Sequence, residues 1–260
     1  MKTVALIQAR MTSIRLPGKV LADIVGVPMV RHVADRTARS SAVDEVVIAT
    51  SVAPGDRPLV DYLQSAGLGV FAGNEDDVLS RFVHAAKETE ADLVVRISGD
   101  CPLVVPEVID EMVDLHTRSG AEYTGCLARR NLPRGLDAEV VWTEVLENID
   151  GLDLDPYHRE HVTPFIYQNP DQFKIAHFEV TGALRRPDLR LCVDTAEDLE
   201  LVREAYHRFY ARDRYVDVPA VIEWLDSDAR WYGHNQDSER QQEARNVEQG
   251  VRQVKLPGSD

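Results

Sequence analysis

Cysteine is scarce in this 260-residue chain, and so is positive charge. The three cysteines, Cys101, Cys126 and Cys192, are odd in number and share no metal-ligand spacing. That argues against a disulfide framework and against a thiolate metal centre, and it fits a reducing, cytoplasmic compartment. Lysine and arginine number 29 against 44 aspartates and glutamates, for a net charge of -15. Nucleic-acid binding demands basic surface, so no nucleic-acid partner is expected. No apolar run is long enough to cross a bilayer, and no membrane partner is expected either. The stretch Val4 to Ile7 is apolar, but Gln8 and Arg10 interrupt it too early for a signal peptide, so it reads as a first core strand. Two nucleotide-binding loops are also missing: the Walker pattern Gly-x-x-x-x-Gly-Lys-Ser/Thr and the dinucleotide pattern Gly-x-Gly-x-x-Gly.

What is present is a regular alternation. Val4 to Ile7, Val46 to Ala49 and Leu93 to Ile97 are nearly continuous in apolar residues, as strands of a parallel sheet buried on both faces are. Helical spacing separates them. Val78, Phe82 and Ala85 recur behind Asn74, a cap with Asp77 three residues on. Pro106 opens a helix carrying Val108, Met112 and Leu115 inward, with Gly120 just past its end. This order predicts an α/β fold, a sheet covered by helices on both faces.

From Glu122 to about Val180 the pattern is mixed, with a strand expected over Ala138 to Trp142, a helix from Pro156 to Tyr167 and a strand from Phe173 to Val180. The stretch reads as a small lobe that leaves the main sheet and returns. Leu191-Cys192-Val193-Asp194-Thr195 follows, then a helix with Leu199, Val202, Tyr206 and Phe209 on one face and Thr195 with Asp198 as a capping box. The division expected is one domain over 1–233, and a polar, disordered tail over 234–260.

The segment richest in chemistry is Gln8-Ala9-Arg10-Met11-Thr12-Ser13-Ile14-Arg15-Leu16-Pro17-Gly18-Lys19. It follows the first strand, at the edge where open α/β sheets bind ligands. Three cations share one loop of a strongly acidic protein, with hydroxyls and backbone amides between them. A triphosphate calls for that set: a backbone cradle, a forked guanidinium and a point-charge ammonium. An isolated pair of arginines would be only a solvated basic loop; the placement after strand one, with Pro17-Gly18 turning the chain before Lys19, favours phosphate.

This loop, together with RISGDCPLVVPEVID, RGLDAEV and RLCVDTAEDLEL, resembles the cytidylyltransferases, among them the enzymes that make CMP-activated keto-sugar acids, and especially the spore-coat-polysaccharide SpsF-like branch. The similarity runs from residue 1 to about 225, in order. The resemblance implies a nucleotide-diphospho-sugar transferase-like (GT-A, Rossmann-like) three-layer αβα fold with a protruding dimerisation lobe near 122–180, and a homodimer. It implies transfer of CMP from CTP to a small acidic acceptor (a sugar acid, sugar phosphate or phosphonate) with release of pyrophosphate, in polysaccharide or secondary-metabolite biosynthesis. It also implies magnesium as cofactor. By position, Arg10 and Lys19 bind the triphosphate with Ala9 and Ser13 assisting, and Asp100 and Asp194 match the two metal carboxylates. Ser98, beside Gly99 in the same nucleotide-binding turn, stands where many keto-sugar-acid enzymes carry a glutamine that touches the nucleotide.

Other positions keep two readings. Asp100 alone is also a turn aspartate, and Asp194 could cap the next helix. Thr50, Ser51, Asp77, Ser80 and Arg81 are expected near the nucleoside, though polarity at a helix start equally suits the dipole. Arg134, Asp137 and Glu139 are assigned to the acceptor, against a surface ion pair. His158 and Arg159, on a helix that also carries His161, serve either the acceptor or a subunit interface. Cys101 has no base to pair with and reads as a small buried filler. Three alternatives remain: use of another nucleoside triphosphate, a glycosyltransferase consuming a nucleotide sugar, or a non-catalytic nucleotide-binding protein. The Asp-x-Asp letters at Asp153 to Asp155 and Asp226 to Asp228 lie in the wrong places for the glycosyltransferase.

Overall fold

The structure, a computed structural model, describes residues 1–126, 130–210, 215–233 and 235. Along its first strand, β1 (Thr3–Gln8), Ala5 and Ile7 join one apolar cluster while Val4 and Leu6 join another. The same alternation holds in β2 (Glu45–Ser51), where Ile48 faces one side and Val47 and Ala49 the other. Strands of this kind must be covered on both faces, because successive side chains point to opposite sides. Helices α1 (Met29–Thr37), α2 (Arg57–Ser65), α4 (Pro106–Ser119), α8 (Ala196–Phe209) and α9 (Val218–Ser227) supply one cover. Helices α3 (Val78–Glu88) and α5 (Thr143–Asp150) supply the other.

With β3 (Gly69–Gly73), β4 (Leu93–Ser98), β5 (Tyr123–Gly125), β6 (Glu139–Trp142) and β7 (Ile175–His177), the strands form one sheet in the order β3-β2-β1-β4-β6-β5-β7. The first four are mutually parallel, and β6 runs antiparallel to both its neighbours. The three-layer α/β expectation is met. Part of the region expected as a lobe, 122–180, belongs to the main sheet. It supplies β5, β6 and β7, and so completes the sheet beyond β4.

Local chemistry explains where elements start and stop. Pro106 opens α4 and Gly120, at φ 59°, ends it. Thr195 and Asp198 make the expected capping box of α8. The cap of α3 differs from expectation: Asp77 accepts from Ser80 N, while Asn74 Oδ1 accepts from the amides of Asp76 and Asp77 in the turn before it. The helix expected over Pro156 to Tyr167 breaks into α6 (Pro156–His161) and α7 (Pro164–Tyr167). Pro164 has no amide to continue the first helix and Val162 turns to φ 72° between them. The strand expected over 173–180 shortens to β7. Residues 191–195 add no strand to the sheet and follow an isolated parallel bridge between Arg134 and Arg190. Of the tail expected over 234–260, only Asn235 is described. It is buried and accepts from the Arg190 amide at 2.8 Å.

Candidate functional site

Two strand ends are pressed together at the carboxyl edge of the sheet. Gly99 N donates to Gln8 O at 2.8 Å, and a Cβ on Gly99 would lie 2.9 Å from both Ala9 Cβ and Gln8 O. The absence of that Cβ lets the turn after β4 sit directly against the loop after β1. The loop is itself held from below. Met11 N donates to Asp56 Oδ1 at 2.6 Å, and Gly18 N donates to Met11 O at 2.9 Å, with Gly18 at φ 74° turning the chain. Asp56 is fully buried and its other oxygen accepts from Ser51 Oγ.

That turn delivers Lys19 inward. Its Nζ donates to Asp100 Oδ2 at 2.7 Å, to Val193 O at 2.7 Å and to Asp194 Oδ1 at 2.8 Å. Only 9% of its side chain is exposed. Burial acts to lower the ammonium's pKa, but the charges of Asp100 and Asp194 outweigh it and raise the group above its usual value. Asp194 is held further by Arg15, whose Nη2 lies 2.9 Å from Oδ1, and by Arg190, which pairs with Oδ2. Burial opposes its charged form, yet Lys19, Arg190 and Arg15 hold its carboxyl down at about 2. The alternative role for Asp194 as a helix cap falls away, because Thr195 and Asp198 perform that task. Val193 N donates to Asp100 O at 2.9 Å, tying the two aspartate segments together through the backbone.

Around this cluster lie two cavities. The first, about 360 Å³, is lined by the loop residues Ala9, Arg10, Ser13, Arg15 and Lys19, by Ser98, Gly99, Asp100 and Asp194, and by Glu160 and His161. The second, about 290 Å³, is lined by Arg130, Arg134, Asp137, Glu139 and the thiols of Cys101 and Cys192. Arg96, Ser98, Asp100 and His161 line both. The cysteines are buried, and burial raises their thiol pKa values, so they are neutral wall groups.

The structure thus gathers Ala9, Arg10, Ser13, Lys19, Ser98, Gly99, Asp100 and Asp194 around one cavity, and Arg134, Asp137 and Glu139 around the next. Asp137 and Glu139 are each paired with an arginine: Asp137 accepts from Arg130 Nη1 at 2.8 and 3.0 Å, and Glu139 pairs with Arg96. His158 and Arg159, expected at the acceptor or at a subunit interface, line neither cavity. His158 Nδ1 lies 2.9 Å from Asp155 Oδ1 and its Nε2 lies 3.0 Å from Gln168 Oε1, while Arg159 pairs with Asp150 at 2.6 Å and Asp77 at 3.3 Å. A helix presents one face to a cleft, and the inward face here carries Glu160 and His161.

The expected nucleoside contacts also lie outside both cavities. Ser51 holds Asp56, Asp77 caps α3, and Ser80 Oγ lies 3.2 Å from His84 Nδ1. Thr50 Oγ1 is buried with no hydrogen-bond partner. Arg81 is 1% exposed, donates from Nη1 to Asn74 O at 3.1 Å, and leaves Nε and Nη2 without partners. Burial, then the charge of Arg10, pushes its pKa down to about 10. Residues missed in the sequence are Arg96, Arg130, Glu160 and Arg190. For Arg96 a signal existed, a charge breaking the apolar run Leu93 to Ile97.

A cationic loop after the first strand, an aspartate after the fourth and a second aspartate before α8 thus meet at one edge of a sheet with the nucleotidyltransferase fold. Comparison with known proteins narrows the class. Residues 4–215 match the model of the cytidylyltransferase family. The uncharacterized protein MJ1063 of Methanocaldococcus jannaschii is 35% identical over 249 residues, 96% of this chain and 100% of that protein. The spore coat polysaccharide biosynthesis protein SpsF of Bacillus subtilis is 35% identical over 208 residues, 78% of this chain and 85% of SpsF. The structure of a cytidylyltransferase from Leptospira borgpetersenii superposes with a TM-score of 0.80 at 31% identity, covering 87% of this chain and 94% of that one. This chain belongs to the cytidylyltransferase family.

Proposed function

We propose that this chain transfers CMP from CTP to a small acidic acceptor and releases pyrophosphate. The observation that carries the reading is the convergence of Lys19, Asp100 and Asp194 beside the loop cations Arg10 and Arg15, with a second arginine-lined cavity sharing a wall. In the structure each of the three loop cations is paired: Arg10 with Glu160, Arg15 with Asp194, and Lys19 with both aspartates. A triphosphate bound in the first cavity takes those partners' places on the cations. Arg10, Arg15 and Lys19 then hold the β and γ phosphates and stabilise the departing pyrophosphate.

The donor set fits magnesium. Two carboxylates already converge on one cationic atom, and hard oxygen donors from one or two side chains are what that ion takes from a protein. Asp100 and Asp194 would hold it, and when bound it supplies charge neutralisation on the phosphates. The acceptor lies in the second cavity, positioned by Arg130 and Arg134. Its oxygen forms a bond to the α-phosphorus as the bond from that phosphorus to the bridging α,β oxygen breaks. The electron pair leaves with pyrophosphate, and any proton on the attacking oxygen passes to water in the open cleft. Work in polysaccharide synthesis, as the name of SpsF states for that relative, fits an acceptor of sugar-acid or sugar-phosphate type. The second cavity favours transfer to an acceptor over a role in nucleotide binding alone.

The test is a pyrophosphate-release screen of the four nucleoside triphosphates with magnesium against sugar acids, sugar phosphates and phosphonates. Turnover with CTP and one acceptor class is expected. Hydrolysis of a nucleotide sugar without pyrophosphate would indicate the glycosyltransferase alternative instead.

A further inference from the structure

Arg96 is out of keeping with its strand. Its neighbours Leu93, Val94, Val95 and Ile97 are buried apolar residues, and it sits in the middle of the sheet opposite Leu6 on β1 and Glu139 on β6. Only 14% of its side chain is exposed. One edge of the guanidinium is fixed by Glu139 and the other by Gln8, whose Oε1 accepts from Nη2 at 3.1 Å. Glu139 is fixed in turn, accepting from Tyr123 Oη at 2.6 Å and from Thr163 Oγ1 at 2.5 Å. The Nε of Arg96 is buried and has no partner.

A buried ion pair is a poor device for stability alone, since a well-packed apolar pair often does as well or better. What this pair does produce is a guanidinium with locked orientation at one particular place. Of the four residues lining both cavities, Arg96 is the only one with a permanent positive charge. If nucleotide occupies the first cavity and acceptor the second, the phosphorus that changes partners lies at their junction. This step rests on the reading given under Proposed function.

We propose that Arg96 is a catalytic residue that donates to the non-bridging oxygens of the α-phosphoryl group as it passes between the two cavities. Bond making is between acceptor oxygen and α-phosphorus, bond breaking is to the pyrophosphate oxygen, and Arg96 keeps its protons throughout. Its contribution is preorganised charge aimed where negative charge gathers in the transition state. Glu139, Tyr123 and Thr163 are positioning residues that act through it.

The test uses the full chain with magnesium, CTP and the acceptor found by the screen, comparing wild type with Arg96→Met and Arg96→Lys. Equilibrium binding of CTP and kcat for pyrophosphate release are both measured. Arg96→Met is expected to lower kcat by about 100-fold or more while the Kd for CTP moves by less than about threefold. Arg96→Lys, which keeps a charge able to meet Glu139, is expected to fold as wild type and still lose about tenfold in kcat, because a point charge does not replace the fork. Should Arg96→Met not fold, the lysine variant decides. A kcat close to wild type in the folded variants overturns the proposal, and so does a loss of CTP binding that parallels the loss of kcat. A wild-type enzyme that releases no pyrophosphate with any acceptor overturns the functional reading and this proposal with it. An active wild type with an undiminished Arg96→Met overturns this proposal alone.

Discussion

Lys19 and Asp194 stand 175 positions apart in the chain, yet Lys19 Nζ donates to Asp194 Oδ1 at 2.8 Å. Asp100 accepts from the same nitrogen at 2.7 Å. The two distant aspartates are therefore brought together by the loop that follows the first strand. Each of the loop's three cations is matched by carboxylate.

Removing the shared cation should show this coupling directly. Lys19→Met leaves Asp100 and Asp194 facing each other, a buried arrangement expected to cost on the order of 3 kcal/mol at neutral pH. The sign with pH follows from Asp194, whose carboxyl is held down at about 2. A depressed acid contributes stability above its unfolded pKa and loses it as pH falls toward the folded value. The gap between wild type and Lys19→Met in urea unfolding should thus be widest near pH 7 and narrow below about pH 4. A gap independent of pH would show that the pairing is not electrostatic.

His116 offers a second pH dependence, away from the site. It is fully buried on α4, its Nδ1 lies 2.9 Å from Thr124 Oγ1, its ring packs on Trp142, and its Nε2 has no partner. Burial pushes its pKa from 6.5 down to about 4. Between those values the unfolded chain binds the extra proton, so stability falls as pH drops through that window. His116→Gln should flatten this limb by on the order of 3 kcal/mol, read from denaturation midpoints at pH 4 and pH 7. Equal slopes for the two proteins would contradict the assignment.

Gly135 lines the second cavity. It adopts φ 101°, and an added Cβ would meet Leu191 C at 2.6 Å and collide with Cys192 N. Gly135→Ala should destabilise the fold by about 3 kcal/mol or displace the Arg134 loop, because neither backbone segment can yield cheaply. Thermal unfolding together with the acceptor KM checks it, and no change in either would be inconsistent with this packing.

Asn235 lies beyond the family match, which ends at residue 215, yet it brackets the backbone of Arg190 with both side-chain atoms. Arg190 in turn pairs with Asp194. Asn235→Ala should cost about 2 kcal/mol through two lost buried hydrogen bonds, and weaken CTP binding through the loosened Asp194. Urea titration and calorimetry measure the two effects; a variant unchanged in both would contradict this chain of contacts.

How much of this was legible beforehand depends on the kind of residue. The apolar runs in β1, β2 and β4 declared buried strands, because every position must be apolar when both faces are covered. Thr195 and Asp198 declared a helix start by local spacing alone. The loop from Gln8 to Lys19 stood out because its charge opposes that of the rest of the chain. Its meeting with Asp100 and Asp194 came from motif order, since no local pattern encodes a contact across 175 residues. The role of β5 to β7 in the main sheet was hidden because short strands of three or four residues carry little periodicity. On α6 the helix itself is readable, but which of its residues, among them Glu160 and His161, meet the cleft is not, because spacing alone does not say how the helix is rotated on the sheet. Arg96 and Arg190 went unassigned because their partners Glu139 and Asp194 are fixed by sheet register and by the turn into α8.

We propose that Asp100 and Asp194 serve one nucleotide complex with Lys19. The most direct test measures pyrophosphate release from CTP by wild type, Asp100→Ala and Asp194→Ala side by side, with folding followed by near-ultraviolet circular dichroism. Both variants should keep the native spectrum and fall by about 1,000-fold or more in rate. Turnover close to wild type in either folded variant would rule out that shared role.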